Sequence, residues 1–292
     1  MEQLSFIDSP QPAPIVNVAM VPQRSPFRYP GGKTWLVPRL REWLASLSNA
    51  PKCFVEPFAG GGIISLTVAF ERLAEHIIMV ELDPQVAATW QTIIDGDAVW
   101  LAERIAAFDL TPESVEVILS EPVVTIADRA FQTILKNRVN RGGILAQGAG
   151  KIKTGENGRG LKSRWYPQTL KQRILDIVSV RERISFIEGD GLEVMRAHMH
   201  RRDVVFFIDP PYTAGGKRAG SRLYTHAALD HEELFQLAAK LTGDFLMTYD
   251  NAPELYDLAR RYGFDTQRIA MKNTHHTEMT ELLIGRDLDW AR

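Results

Sequence analysis

A chain of 292 residues, 45% of them hydrophobic, is long enough for one large α/β domain or for one carrying a smaller insert. No apolar run approaches the roughly 18 residues of a membrane span, and the first residues lack a signal-peptide layout, so no membrane partner is expected. The single cysteine, Cys53, excludes an internal disulfide framework and suits a reducing cytoplasm, while a net charge of -2 by itself says nothing of nucleic acid.

Residues 1–24 carry Pro10, Pro12, Pro14 and Pro22 with little periodicity and are expected to form a flexible lead-in. Helical spacing follows in Trp35, Leu36, Leu40, Trp43, Leu44 and Leu47. Cys53-Phe54-Val55 reads as a short buried strand, with Cys53 a small core residue entering it. Pro57 and the glycines Gly60, Gly61 and Gly62 stop that strand, and Ile63 to Leu73 reads as the next helix. A second strand, His76 to Val80, ends in Glu81-Leu82-Asp83-Pro84, completing a βαβ unit. From Gln85 to Ile134 the pattern is mainly helical, with Pro112 placed to start one helix.

Between Ile134 and Arg173 stand ten basic residues against one acid, Glu156, in a glycine-rich stretch unsuited to long regular elements. Such asymmetry attracts a phosphate backbone, although a solvated basic face has the same composition. Strands resume at Ile184 to Ile187, Val204 to Ile208 and Phe245 to Tyr249. Thr266 to Ala270 and Glu281 to Ile284 suit an antiparallel hairpin. The expected architecture is an open, mostly parallel α/β sheet with helices on both faces, built from 25–90 and 171–292 and interrupted by a helical and basic insert over 91–170.

A glycine turn between strand and helix lets a ligand approach the backbone closely. Glu81 lies 21 residues after Gly60, at the end of the second strand, where an acid suits a pair of ribose hydroxyls. Ser65 replaces the third glycine of a dinucleotide fingerprint, and no Lys-Ser/Thr follows, so a P-loop is excluded. Asp190 ends the third strand on the same sheet edge. Two readings of it stay open: an acceptor for an adenine amine, or an ordinary cap for the helix that follows.

Phe206-Phe207-Ile208 runs directly into Asp209-Pro210-Pro211-Tyr212. The two prolines end the strand, fix φ and leave two residues with no N–H to donate. The loop thus offers a carboxylate, a carbonyl and an aromatic face on a stiff frame, which suits a planar heterocycle bearing an amine. Asp209 would accept one amine hydrogen, the Pro210 carbonyl the other, and Tyr212 would stack on the ring. Two acceptors stabilise the charge that develops on a poor nucleophile as it attacks a sulfonium methyl. An amine inside a duplex is out of reach, so the base must be flipped.

The ordered motifs Phe27-Arg28-Tyr29-Pro30-Gly31-Gly32-Lys33, Glu56-Pro57-Phe58-Ala59-Gly60-Gly61-Gly62 and Asp209 to Tyr212 resemble those of Dam-like DNA adenine-N6 methyltransferases. The likeness runs from Phe27 to about Gly285. It implies a Rossmann-like methyltransferase sheet, S-adenosyl-L-methionine as cofactor, double-stranded DNA as partner, and 91–170 as the target-recognition subdomain. It also implies that Tyr29 and Lys33 contact the methionine part of the cofactor, that Glu81 holds its ribose, that Glu56 and Phe58 line its pocket with Gly60, Gly62 and Asp190, and that Asp209 borders both reactants. Many members have Asp where this chain has Glu81. Expected DNA contacts are Arg138, Arg141, Lys151, Lys153 and Arg164 in the insert, and Lys217, Arg218 and Arg222 in a glycine-rich loop.

His275-His276 and His198-Met199-His200 lack ligand-spaced partners, and no metal is expected. Competing readings are N4-cytosine methylation, which usually has Ser at the position of Asp209, methylation of RNA or of a protein amide, and a catalytically silent DNA-binding subunit. Whether a cognate restriction enzyme accompanies the protein is left open by the sequence.

Overall fold

The computed structural model describes residues 20–29, 31–146, 148–211, 229–272 and 278–292. Seven strands form one sheet: β1 (Cys53–Glu56), β2 (His76–Glu81), β3 (Ile184–Glu188), β4 (Val204–Ile208), β5 (Phe245–Asp250), β6 (Asp265–Lys272) and β7 (Glu278–Gly285). Their order is β3-β2-β1-β4-β5-β7-β6. The first five run parallel, with Val55 opposite Ile78 on one side and Phe206 on the other. The hairpin closes the sheet, with β7 antiparallel to both β5 and β6.

The central strands are apolar throughout because both faces are covered: every residue of β1 and β4 is buried. Side chains alternate between two cores. Phe54, Ile77, Val205 and Phe207 face one cluster, Val55, Ile78, Phe206 and Ile208 the other. On the first face lie α1 (Val37–Ser46), α2 (Ile63–Glu71), α3 (Pro84–Ile94), α4 (Ala98–Ala107), α6 (Ile126–Val139) and α7 (Pro167–Val178). The second face takes α8 (Gly191–His198), α9 (His231–Lys240) and α10 (Pro253–Arg261).

The β2-to-β3 crossover carries α3, α4, α5 (Pro112–Ser120), α6 and α7, and this is the region expected as an insert. Its boundaries at 90/91 and 170/171 each fall inside a helix, α3 and α7. Apolar residues such as Leu101, Phe131 and Ile134 join the same cluster as Phe54 and Ile77, so these helices share the core of the sheet. Of the basic stretch, the ends belong to α6 and α7; between them the described residues form short 3-10 turns and one bridge, Asn140 to Lys151.

Chain order reverses at β1, with β2 and β3 on one side and β4 and β5 on the other. The carboxyl ends beside such a switch point open into a crevice. Glu56, Glu81, Asp190 and Asp209 stand at or just beyond four of these strand ends. The glycine loop after β1 is anchored by Trp90 of α3, which is fully buried and donates its indole N–H to the Gly60 carbonyl at 2.9 Å. Gly62, at φ +65°, lies so close to this ring that an added Cβ would stand 2.7 Å from it. Trp90→Ala should therefore cost ~3–5 kcal/mol in urea unfolding and loosen the loop; a cost below ~1 kcal/mol would show that the loop is held by something else.

Candidate active site

A cleft of about 1050 Å³ runs along the carboxyl edge. One wall is the segment 25–33, which crosses the edge before β1 begins. Ser25 donates its hydroxyl to the Gly61 carbonyl, and Phe27 packs edge-on against Tyr29, with centroids 6.3 Å apart. The Tyr29 ring lies directly on the glycine loop: a Cβ on Gly60 would come within 2.6 Å of it, and a Cβ on Gly61 would meet the Tyr29 Cβ at 2.7 Å. These glycines thus admit protein side chains as well as leaving backbone open to a ligand.

Lys33 enters the cleft from the same segment and is only 3% exposed. Its ammonium lies 3.0 Å from Asp209 Oδ1 and 3.5 Å from Glu281 Oε2, and donates to the Gly31 carbonyl at 3.0 Å. Asp209 Oδ1 also accepts from the Thr248 hydroxyl at 2.8 Å. The end of β4 and the middle of β7 therefore converge on one cation, and β5 supports the Asp209 carboxylate through Thr248. Burial pushes the Glu281 carboxyl up to about 7 against the pull of Lys33. Pro210 and Pro211 line the cleft beside Asp209. Tyr212 lies outside the described residues, as do Lys217, Arg218, Arg222 and His275-His276.

Glu81 accepts the Gly60 N–H on one carboxylate oxygen and the Asp83 N–H on the other, both at 2.8 Å. Loss of water pushes it up to about 7, while those N–H groups favour the charged form. Glu56, 3% exposed, accepts the Ser65 N–H in the first turn of α2, and burial pushes it up to about 8. Asp190 caps α8 by accepting the Leu192 N–H at 2.8 Å while also lining the cleft, so the cap reading holds without removing it from the site. Phe58, Gly60 and Gly62 line the same space.

The basic residues divide. Arg164 faces the cleft, whereas Arg141, Lys151 and Lys153 are exposed on the glycine-rich turns. Arg138 corrects the expectation of an open basic face: it is 4% exposed and donates to the Pro26 carbonyl, because the last turn of α6 packs beneath the 25–33 segment. Beside it Asn137 accepts the Arg28 N–H at 2.8 Å and donates to the Arg28 and Gly143 carbonyls at 2.9 and 2.8 Å. Sequence reasoning missed Thr248 and Glu281. An acid heading the apolar run Leu282-Leu283-Ile284 was a signal for the second; a threonine in a strand is no signal at all.

The open sheet with its crevice at a switch point is a Rossmann-like α/β fold, and sequence comparison gives the class, a methyltransferase. Residues 29–113 match the family model of the D12 class N6 adenine-specific DNA methyltransferases. The resemblance seen in the sequence is thereby borne out over Tyr29, Lys33, the glycine loop and Glu81; Asp209 to Tyr212 lie beyond the match. No curated protein matches the chain. Among solved structures, a methyltransferase from Geobacter sulfurreducens is similar at 13% identity and TM-score 0.40, covering 94% of this chain and 99% of that one. Precorrin-6y C5,15-methyltransferase from Geobacter metallireducens is similar at 9% identity and TM-score 0.35, covering 86% and 87%. Such likenesses say nothing of substrate. Family and fold imply S-adenosylmethionine as the methyl donor. No helix among the described residues is long and apolar enough to cross a membrane.

The raised Glu81 has a defined sign. Its folded value of about 7 lies above its ordinary 4.5, so stability is lost as pH rises through that window. Ribose hydroxyls donate to the carboxylate, so nucleoside binding should tighten about tenfold from pH 6 to pH 8 and then level off. Glu81→Gln should bind weakly and without that slope in calorimetric titrations; a pH-independent wild type would sever Glu81 from the ribose.

Proposed function

We infer that the protein transfers a methyl group from S-adenosylmethionine to the N6 amine of a flipped adenine in double-stranded DNA. The observation that carries this is the Asp209-Pro210-Pro211 corner, set in the same cleft as the glycine loop and Glu81. The residues present fit the cofactor: an acid with a backbone N–H on each oxygen waits where ribose hydroxyls would donate, and the cleft has room for a nucleoside and a base.

When bound, S-adenosylmethionine supplies an electrophilic methyl on a positively charged sulfur. The protein's part is to orient and stabilise. Lys33 and Thr248 hold the Asp209 carboxylate by Oδ1. Asp209 and the Pro210 carbonyl accept the two amine hydrogens, drawing charge onto the nitrogen as it attacks. Transfer would form the N–C bond as the cofactor's S–C bond breaks, and Asp209 would pass the lost amine proton to water. Glu56, buried and raised to about 8, is neutral at pH 7, so the pocket does not become an all-anionic trap for a cation.

N4-cytosine methylation uses the same geometry. Aspartate at the head of the corner and the matched N6 adenine-specific family favour adenine. Incubation with methyl-labelled cofactor and duplex DNA, followed by nucleoside analysis, should yield N6-methyladenine. N4-methylcytosine, label confined to RNA, or no label would overturn the proposal. Asp209→Ala should lower kcat by roughly 10²–10³-fold with duplex affinity retained; undiminished turnover would remove Asp209 from the chemistry.

A further inference from the structure

The carboxyl groups of the cleft come mainly from strand ends, and its arginines from the 25–33 segment and the crossover. Arg28 comes from the 25–33 segment, Arg138 from the last turn of α6, Arg164 from the 3-10 turn Gly160–Arg164, and Arg173 from α7; all four line the cleft. We propose that Arg28, Arg138, Arg164 and Arg173 form a recessed phosphate site that takes one phosphodiester of the substrate strand, next to the flipped nucleotide. The proposal rests on the DNA reading above and adds to it a defined anion pocket, distinct from an open basic face.

Three observations carry it. First, the cluster is enclosed: Arg138 is 4% exposed and the other three are half-buried. Second, three of the four lack a carboxylate partner among the described residues. Among the described residues no carboxylate makes an ion pair with Arg28, Arg138 or Arg173. Arg138 and Arg173 bond instead to the neutral carbonyls of Pro26 and Ser25, and the Arg138 Nε is buried with no hydrogen-bond partner among the described residues. Third, burial and the neighbouring guanidiniums push Arg138 down to about 9, and burial with Arg164 lowers Arg28. Like charges gathered away from water repel strongly, and a dianion or phosphodiester relieves that repulsion. Guanidinium forks match phosphate oxygens in geometry as well as charge.

The division of the cleft supports the assignment. Glu81, Asp190 and Asp209, from or just beyond strand ends, line the cleft and suit a cationic cofactor. A polyanion belongs with the arginines. A base flipped into the cleft brings its own flanking phosphates with it.

The test uses the cofactor-saturated protein and the double variant Arg28→Gln/Arg164→Gln, which leaves the Arg138 and Arg173 contacts with Pro26 and Ser25 in place. Inorganic phosphate, against chloride at equal ionic strength, should raise the melting temperature of the wild type and leave the variant unmoved. Duplexes carrying one methylphosphonate beside the target adenine should bind the wild type about tenfold more weakly at a single linkage position, and the variant should not distinguish that position from the others. Unaltered cofactor affinity in the variant confirms its fold. Equal phosphate shifts in both proteins, or a wild-type shift that cofactor abolishes, would overturn the site. A phosphate shift that depends on the arginines, with no sensitive linkage, would overturn its assignment to the substrate strand. Failure to methylate any DNA with the phosphate shift intact would instead sink the adenine reading and leave the anion pocket standing.

Discussion

Lys33 brings a full positive charge to a point where 3% of its surface meets solvent, and it is held there by carboxylates from two different strands. An ammonium at such a depth persists only when its charge and its hydrogens are met. Asp209, Glu281 and the Gly31 carbonyl meet them, and by doing so they bind the 25–33 segment to the end of β4 and the middle of β7. Removing one partner of a buried pair typically costs about 3–5 kcal/mol, because the other is left uncompensated. Lys33 thus ties Asp209 to the segment that lays Tyr29 on the glycine loop, together with the Ser25, Arg28 and Arg138 contacts of that segment.

The same arrangement explains why several acids can share a small volume. Asp209 and Glu281 lean on Lys33, Glu81 on two backbone N–H groups, and Glu56 on the first turn of α2. Glu56, Glu81 and Glu281 are nonetheless raised to about 7 or 8, so part of the charge is neutralised at physiological pH. A cationic ligand entering this end of the cleft would draw those protons off. Arg138 and Arg173 of the same cleft have the mirror-image situation, donating to the neutral carbonyls of Pro26 and Ser25.

The glycine loop shows how a motif can serve packing and binding together. Gly60 and Gly61 make room for Tyr29, and Gly62 makes room for Trp90 and Met79. Substitution at any of the three would collide with protein before it met a ligand. Ligand access is therefore a consequence of how tightly the 25–33 segment and α3 are packed around this turn.

Local patterns in the chain were enough to place the seven strands, the hairpin, the glycine turn and the Asp209-Pro210-Pro211 corner. Apolar runs, proline and glycine act over a few residues, so their meaning does not depend on the rest of the fold. The bounds expected for the insert, 90/91 and 170/171, each fall inside a helix, α3 and α7, because helix ends are set by packing as well as by local composition. Contacts between distant segments could not be read at all. Lys33 with Glu281, Arg28 with Asn137, and Arg138 with Pro26 each join segments more than a hundred residues apart, and Arg138 turns from an expected surface contact into a buried one for that reason. The sequence by itself determined which chemical groups the protein possesses and on which strand ends they lie; only the tertiary structure decided which of them face one another, because pairing across the sheet edge depends on chain path and not on neighbours in sequence.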